Sequence, residues 1–214
     1  MKKAVVLLSG GLDSAVTLYL ARARGYRCSC LIFDYGQRHR KEIQAAKKIA
    51  RLTNSDYKVL KISLPWKGSA LLDSRIKIPQ NTSKIPSTYV PARNIIFLSF
   101  ALSYAEAAGA KAIFIGAHTQ DYSGYPDCRP EFFRAFEKVI SSGTKAGVEK
   151  KEIKILTPLI DKNKTEIIRV GMRLGVPFAV TWSCYEGGKA PCGKCDSCRF
   201  RAQAFREALK NYEN

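Results

Sequence analysis

A chain of 214 residues corresponds to one domain, or to one domain with a small appendage, and its 46% hydrophobic and 25% charged residues exclude a disordered or fibrous protein. The longest apolar runs, residues 4–8 and 95–102, are far shorter than the roughly 20 residues that cross a bilayer, so we expect no membrane span, no signal peptide and a cytoplasmic location. The formal net charge of +18 indicates an anionic partner, either nucleic acid or a phosphate ligand, with a lysine-rich solvated surface as the alternative.

Short apolar, β-branched runs alternate with helical stretches over the first 160 residues. This βαβα order predicts a Rossmann-like α/β fold, in which helices cover both faces of a parallel sheet. In such sheets ligands bind outside the carboxyl ends of the strands. The predicted strands cover residues 3–8, 27–34, 57–63, 112–116 and 152–156, and the predicted helices cover residues 14–24, 40–52, 93–108, 131–141, 163–174 and 196–210.

Two regions interrupt this alternation. Residues 64–91 contain four prolines, which predicts a long functional loop or lid. The chain from Trp182 onward carries clustered cysteines in a Gly/Pro-rich loop before the last helix. We therefore divide the chain into a nucleotide-binding and catalytic domain, residues 1–180, and a cysteine-rich loop with its C-terminal helix, residues 181–214.

A glycine-containing loop joins the first strand to the first helix and reads Ser-Gly-Gly-Leu-Asp-Ser over residues 9–14. Two glycines let the backbone approach an anion, and the helix start presents unpaired N–H groups at its positive end. Ser9 and Ser14 can add hydroxyl donors, while Asp13 can cap the helix or order a metal ion. The loop is neither a Walker loop nor GxGxxG. The alternative is an ordinary strand–turn–helix junction with a capping aspartate.

Seven cysteines in a chain without an export signal are not expected to form disulfides. Cys28 and Cys30 share one face of a predicted strand and are expected in the core, and Cys128 has no assigned role. Four thiolates with CxxCxxC spacing can surround one tetrahedral ion, which favours a structural Zn²⁺ and leaves an iron–sulfur cluster as the competitor. The proposed ligands are Cys184, Cys192, Cys195 and Cys198.

The residue 9–14 loop resembles the pyrophosphate loop of the PP-loop ATP pyrophosphatases, which split ATP between its α- and β-phosphates. Residues 33–39, 89–94 and 116–132, together with the four-cysteine tail, are similar to the 7-cyano-7-deazaguanine synthase (QueC) family. The similarity runs in order along nearly the whole chain and is weakest over residues 66–88. It implies an adenine nucleotide alpha hydrolase-like fold.

The resemblance also implies an activity. A family member would use ATP and Mg²⁺ to adenylate 7-carboxy-7-deazaguanine, replace AMP by ammonia, and lose water after a second activation to give the nitrile. The expected partners are therefore the small deazapurine carboxylate and ammonia, with no membrane and no direct nucleic acid. A homodimer is left open.

The resemblance also suggests site residues. Lys164 matches a family lysine that would balance the charge of pyrophosphate, although a solvent-facing helix lysine is its alternative. Asp127 could accept hydrogen bonds from the N1–H and 2-amino group of the deazapurine, and Tyr125 and Phe132 could stack on it or lie in the core. His39 and His118 follow predicted strand ends, and a structural role is preferred for His39. The catalytic candidates are Ser9, Asp13, Ser14 and Lys164; the ATP-binding candidates are Leu8, Ser9, Gly10, Gly11, Leu12, Asp13, Ser14 and Arg93; the substrate-binding candidates are His118, Tyr125, Asp127 and Phe132.

Two other functions remain open from the sequence. The first is a PP-loop tRNA-modifying enzyme of the thiolation or lysidine type, which the positive charge and the cysteines would suit. The second is a nucleotide-binding sensor without turnover, which the combination of loop, lysine and substrate motif disfavours.

Overall fold

The computed structural model describes residues 1–38, 40–66, 68–73, 75–76, 85–119 and 124–210. His39 lies outside the described residues. The same is true of residues 120–123 in the 116–132 motif and of residues 67, 74 and 77–84 in the predicted lid. Within the described part of the chain, no helix is both long enough and apolar enough to cross a membrane.

All strand pairings in the described chain are parallel, which confirms the predicted fold class. The strand order is β3-β2-β1-β4-β5, so β1 lies at the centre and pairs with β2 and β4. Because the strand order reverses between β1 and β4, the carboxyl ends of these two strands form the crevice where such sheets bind ligands. The strands are β1 Lys2–Leu7, β2 Tyr26–Asp34, β3 Asp56–Lys61, β4 Ala112–Phe114 and β5 Lys154–Leu156.

Helices cover both faces of this sheet, and every helix expected from the sequence is present. Among the described residues, the additional elements are the four-residue helix α5 and two short 3₁₀ turns, Pro126–Cys128 and Phe178–Val180. The helices are α1 Leu12–Ala23, α2 Lys41–Leu52, α3 Arg93–Ala108, α4 Pro130–Gly143, α5 Lys145–Val148, α6 Lys164–Arg173 and α7 Asp196–Lys210.

The strand pleat divides the core into two layers. Val6 of β1 packs with residues of α1, α2, α6 and α7, whereas its neighbour Val5 packs with residues of α3 and α4. Successive side chains of a strand point to opposite faces, so a centrally placed apolar strand contributes to both layers. Ala204 and Ala208 of α7 lie in the first layer, so the C-terminal helix packs on the main core. The division of the chain at residue 180 stays a prediction.

Local signals fix the helices that carry site residues. Asn163 caps α6, accepting from Glu166 N while the Glu166 side chain accepts from Asn163 N, and the turn after α6 contains Gly175 at φ +69°. This capping box holds Lys164 at the first position of the helix. At α3, Asp127 Oδ2 accepts a hydrogen bond from Asn94 N at 2.9 Å and occupies one of the N–H groups that a helix start leaves unpaired.

Candidate functional site

A cavity of about 290 Å³ opens at the carboxyl ends of the central strands. It collects residues from β1, β2, the loop after β4, helices α2 and α3, and the cysteine tail. We call it the central cavity. Of the residues proposed from the sequence, the central cavity is lined by Leu8, Ser9, Gly11, Asp13, Ser14, Arg93 and Tyr125.

The loop of residues 9–14 forms one wall of the central cavity. Ser9 Oγ donates to Ser14 Oγ at 3.0 Å and accepts from Gly11 N at 3.2 Å, while Ser14 Oγ donates to the Gly11 carbonyl. Gly11 is the N-cap of α1 and has no side chain that could cap the helix, while Asp13 lies in the first turn. The helix start is thus left with N–H groups available to an anion at the cavity wall.

Leu12 and Gly10 have different structural roles in this loop. The Leu12 side chain is buried in the core, so only its backbone remains available to a nucleotide. Gly10 adopts φ +88°, and an added Cβ would collide with the Glu42 carbonyl oxygen and approach Ala46 N to 2.8 Å. The loop therefore requires glycine at this position because it packs directly against α2.

Asp13, Lys164 and His118 form a charged group beside the loop. Lys164 Nζ lies 2.9 and 2.8 Å from the two Asp13 carboxylate oxygens and 3.0 Å from His118 Nε2. Burial raises the pKa of Asp13, but Lys164 and His118 outweigh it, so the net pKa is lowered and the carboxylate is ionised at neutral pH. The Lys164 side chain is 17% exposed, so the solvent-facing alternative is wrong. His118 is buried and does not line the central cavity.

Arg93, the other proposed cation, lies across the cavity on α3. Its Nη1 donates to the Tyr35 hydroxyl at 3.2 Å, and its guanidinium lies over the rings of Tyr35 and Phe97. Burial lowers the pKa of Arg93, but Tyr35, Tyr125 and Cys128 together raise it by more, so the group stays charged. Arg93 therefore lines the central cavity with its guanidinium held beside two aromatic rings.

The proposed substrate residues separate in the structure. Tyr125 lines the central cavity and its hydroxyl lies 2.9 Å from Thr88 Oγ1. Asp127 is buried, contacts Asn94 as described above, and does not line the cavity. Phe132 packs against Phe133 and Phe136 in the second core layer. Of these three residues, Tyr125 therefore lines the cavity, and Asp127 and Phe132 do not.

Sequence reasoning missed a polar group on the cavity wall formed by Gln37 and Glu42. Gln37 Nε2 donates to Glu42 Oε1 at 3.0 Å and to the Phe33 carbonyl at 3.1 Å, and Gln37 Oε1 accepts from Tyr35 N at 2.9 Å. Burial raises the pKa of Glu42, only partly offset by Gln37 and Arg93. Glu42 lies on the same face of α2 as the buried residues Ala46 and Ile49. A carboxyl group on the buried face of a helix is the sequence signal that could have identified Glu42 as a site residue.

The cysteine tail supplies another wall of the central cavity, through Trp182, Tyr185 and Ser197. Trp182 N donates to the Gly10 carbonyl at 2.9 Å, which ties the tail to the residue 9–14 loop. Lys41 Nζ lies 4.5 Å from the Trp182 ring centroid and donates to the carbonyls of Gly188 and Lys189. The tail therefore contributes to the wall of the central cavity.

The four tail cysteines converge, with their Sγ atoms all within 4.8 Å of one another. Backbone N–H groups of Glu186 and Cys192 point at Cys184 Sγ, at 3.4 and 3.3 Å, and those of Lys194 and Cys195 point at Cys192 Sγ, at 3.4 and 3.3 Å. The N–H groups of Cys195 and Lys194, together with the thiols of Cys184 and Cys195, lower the pKa of Cys192 to about 7. A tetrahedral metal with bonds of about 2.3 Å places its sulfur ligands about 3.8 Å apart, so the cluster can bind a metal ion with little movement. Cys28 and Cys30 lie in the core, as expected.

Comparisons with known proteins identify the family of this chain. The family model described as "Queuosine biosynthesis protein QueC" matches residues 3–209. The chain belongs to the QueC family. It is 55% identical over 214 residues to a 7-cyano-7-deazaguanine synthase of Clostridium kluyveri, covering 97% of this chain and 95% of the relative. It is 56% identical over 213 residues to a 7-cyano-7-deazaguanine synthase of Ectopseudomonas mendocina, again covering 97% of this chain and 95% of the relative.

Solved structures show that this QueC family member shares its fold with other proteins. NMN synthetase from Francisella tularensis superposes with a TM-score of 0.54 at 16% identity, covering 92% of this chain and 71% of that one. A 4-thiouridine synthetase, solved as an RNA complex with bound ATP, superposes with a TM-score of 0.51 at 19% identity, covering 98% of this chain and 51% of that one. At these identities the likeness establishes the fold and no more.

Proposed function

We propose that this chain is an ATP-dependent carbon–nitrogen ligase that converts 7-carboxy-7-deazaguanine and ammonia into 7-cyano-7-deazaguanine. The observation that carries the proposal is the name 7-cyano-7-deazaguanine synthase, shared by relatives 52–56% identical to this chain over almost its entire length. The central cavity supports it, because the loop of residues 9–14 faces a space at the carboxyl ends of β1 and β4.

The pyrophosphate end of ATP would bind at this loop. Ser9, Gly11 and Ser14 line the wall, and the uncapped start of α1 offers N–H groups to phosphate oxygens. Lys164 would add a positive charge, since its ammonium lies 2.8 Å from Asp13 at the cavity wall. These groups are placed to stabilise negative charge on departing pyrophosphate, which is the demand of an adenylation step.

Mg²⁺ would accompany the nucleotide. The Asp13 carboxylate lines the cavity in its ionised form beside the Ser9 and Ser14 hydroxyls, and such oxygen ligands suit Mg²⁺. When bound, the ion would neutralise phosphate charge. The interaction of both Asp13 oxygens with Lys164 keeps the two charges balanced when no nucleotide is bound.

The chemistry needs two activations. A carboxylate oxygen of the substrate attacks the α-phosphorus of ATP, the bond to the bridging oxygen breaks, and pyrophosphate leaves with the electron pair. The nitrogen lone pair of ammonia then attacks the acyl carbon, AMP leaves, and a proton is released, which gives the amide. A second ATP adenylates the amide oxygen with loss of pyrophosphate. Loss of AMP and of the remaining N–H protons then forms the carbon–nitrogen triple bond.

The metal of the cysteine cluster is proposed to be a structural Zn²⁺. Four thiolates that converge within 4.8 Å match a closed tetrahedral site with no open position for substrate. The ion, when bound, would hold the tail in the fold. Trp182, Tyr185 and Ser197 would then keep their places in the cavity wall.

The test of the function is a labelled-ATP assay with two alternative acceptors, the free carboxy-deazapurine and bulk tRNA. We expect AMP and pyrophosphate formation with the deazapurine alone, and mass spectrometry of a reaction with ¹⁵N-ammonium should find the label in a nitrile. The rate should rise with pH, because NH₃ rather than NH₄⁺ has the lone pair that attacks. Turnover that requires tRNA would favour the RNA-modifying alternative, and activity only with glutamine would overturn free ammonia as the nitrogen source.

A further inference from the structure

The donor edge of the substrate needs an acceptor on the cavity wall. A 7-deazaguanine presents N1–H and a 2-amino group side by side, and the best complement is a carboxylate with two acceptor oxygens. Asp127, the residue that the sequence suggests, has Oδ2 engaged by Asn94 N at the start of α3 and does not line the central cavity. Among the described residues, a carboxylate that does line the cavity is therefore the better candidate for this edge.

The described residues that line the central cavity include two acidic side chains, Asp13 and Glu42. Both carboxylate oxygens of Asp13 accept hydrogen bonds from Lys164 beside the residue 9–14 loop. The Glu42 carboxyl accepts a hydrogen bond from Gln37 through Oε1, which leaves acceptor capacity toward the cavity. On this ground Glu42 is the candidate acceptor.

Glu42 is also held in a fixed orientation. Gln37 receives a hydrogen bond from Tyr35 N and donates to the Phe33 carbonyl, so the backbone at the end of β2 fixes the amide that contacts Glu42. A carboxyl group with this support is pre-organised for a planar partner. Burial raises the pKa of Glu42, and ligand N–H donors would favour its ionised form.

We propose that Glu42 recognises the N1–H and 2-amino edge of the deazapurine, and that Gln37 is the residue that positions it. This assignment rests on the proposed function. The edge and the C7 carboxylate lie at opposite ends of the fused ring, so a heterocycle anchored at Glu42 can direct its carboxylate away from α2. At the corresponding positions adenine has an acceptor, N1, and a C2–H in place of the two N–H donors, so Glu42 favours a guanine-like base over the base of ATP.

The experiment measures binding and turnover of wild type, Glu42→Gln and Glu152→Gln. Glu152 is a matched control, because its exposed side chain contacts Lys154 on the protein surface. The probes are ATP, 7-carboxy-7-deazaguanine and its analogue without the 2-amino group. Glutamine has nearly the same size and can keep the bond from Gln37, but its amide places a donor against a donor. We expect Glu42→Gln to weaken deazaguanine binding roughly tenfold to a hundredfold and ATP binding less than threefold.

The analogue separates recognition from general damage to the site. Wild type should bind it more weakly than 7-carboxy-7-deazaguanine, whereas Glu42→Gln should bind the two about equally. Thermal melting of each variant checks that it is folded. Unchanged discrimination in a folded Glu42→Gln, or a loss that falls on ATP, would overturn this assignment and leave the proposed function standing. A wild-type protein that neither binds nor converts the deazapurine would overturn the function itself, and the assignment with it.

Discussion

Replacement of Gly10 by alanine tests how tightly the residue 9–14 loop packs against α2. Gly10 adopts φ +88°, where an L-residue is strained by about 1–2 kcal/mol. The new Cβ would also overlap the Glu42 carbonyl and lie 2.8 Å from Ala46 N, closer than real Cβ contacts. Both obstacles are backbone atoms, so α2 or the loop must move, which adds about 1–3 kcal/mol by analogy with overpacked cores.

Gly25→Ala is the matched control. Gly25 adopts φ +79°, but a Cβ there would meet nothing within 4 Å, so only the backbone strain applies. For a chain of this size, 1 kcal/mol corresponds to a change in Tm of about 2–4 °C. We therefore expect Tm to fall by about 2–8 °C in Gly25→Ala and by about 4–20 °C in Gly10→Ala.

Differential scanning calorimetry measures the change in Tm of each variant, and steady-state kinetics measure its KM for ATP. Gly10→Ala should raise the KM for ATP, because the displaced loop carries Ser9 and Gly11, whereas Gly25→Ala should leave it unchanged. Equal losses of Tm in the two variants would refute the reasoning, since they would show that the close approach of the loop to α2 costs nothing. An unchanged KM in Gly10→Ala would separate the loop from nucleotide binding.

Three further perturbations address the site. Ser14→Ala and Asp13→Ala should abolish pyrophosphate release while circular dichroism shows a folded chain; wild-type rates would mean that the loop is only a structural turn. Cys195→Ser should reduce zinc from one ion per chain and lower Tm, because ligation contributes folding free energy; elemental analysis without zinc in wild type, or iron–sulfur absorbance in anaerobically purified protein, would contradict this. Glu42 has a raised folded-state pKa, so the stability associated with its protonated form is lost as pH rises through that pKa. Glu42→Gln should therefore have a higher Tm than wild type at pH 8, and the difference in Tm should be smaller near pH 4. An equal difference in Tm at both pH values would contradict the effect of burial on Glu42.

Periodicity and turn residues predict the fold well because they are local. The capping box at Asn163 and Glu166 and the glycine after α6 mark a helix whose structure begins at Lys164, one residue from the predicted start. Strands β1 and β4 are likewise largely apolar runs, whereas β3, at the edge of the sheet, has mostly exposed side chains. The short α5 has four residues, too few for a periodic pattern to indicate it.

The site is harder to predict because its contacts join distant parts of the chain. Lys164 and Asp13 are 151 residues apart, and a pattern can name each residue without stating that they form an ion pair. Asp127 illustrates the opposite case. Its motif suggests substrate binding, but its carboxylate contacts the start of a helix 33 residues earlier, a contact that no local spacing indicates.

The bond between Trp182 and Gly10 has a consequence for the order in which the molecule matures. The three strands β1, β2 and β3 lie within the first 61 residues, whereas the tail that completes the cavity wall begins some 120 residues later. Parallel sheets depend on contacts between distant segments and form slowly. A partly folded chain can therefore contain a complete residue 9–14 loop beside an open cavity. The last segment of the chain completes the wall of that cavity, so a binding site shielded from water forms only at the end of folding.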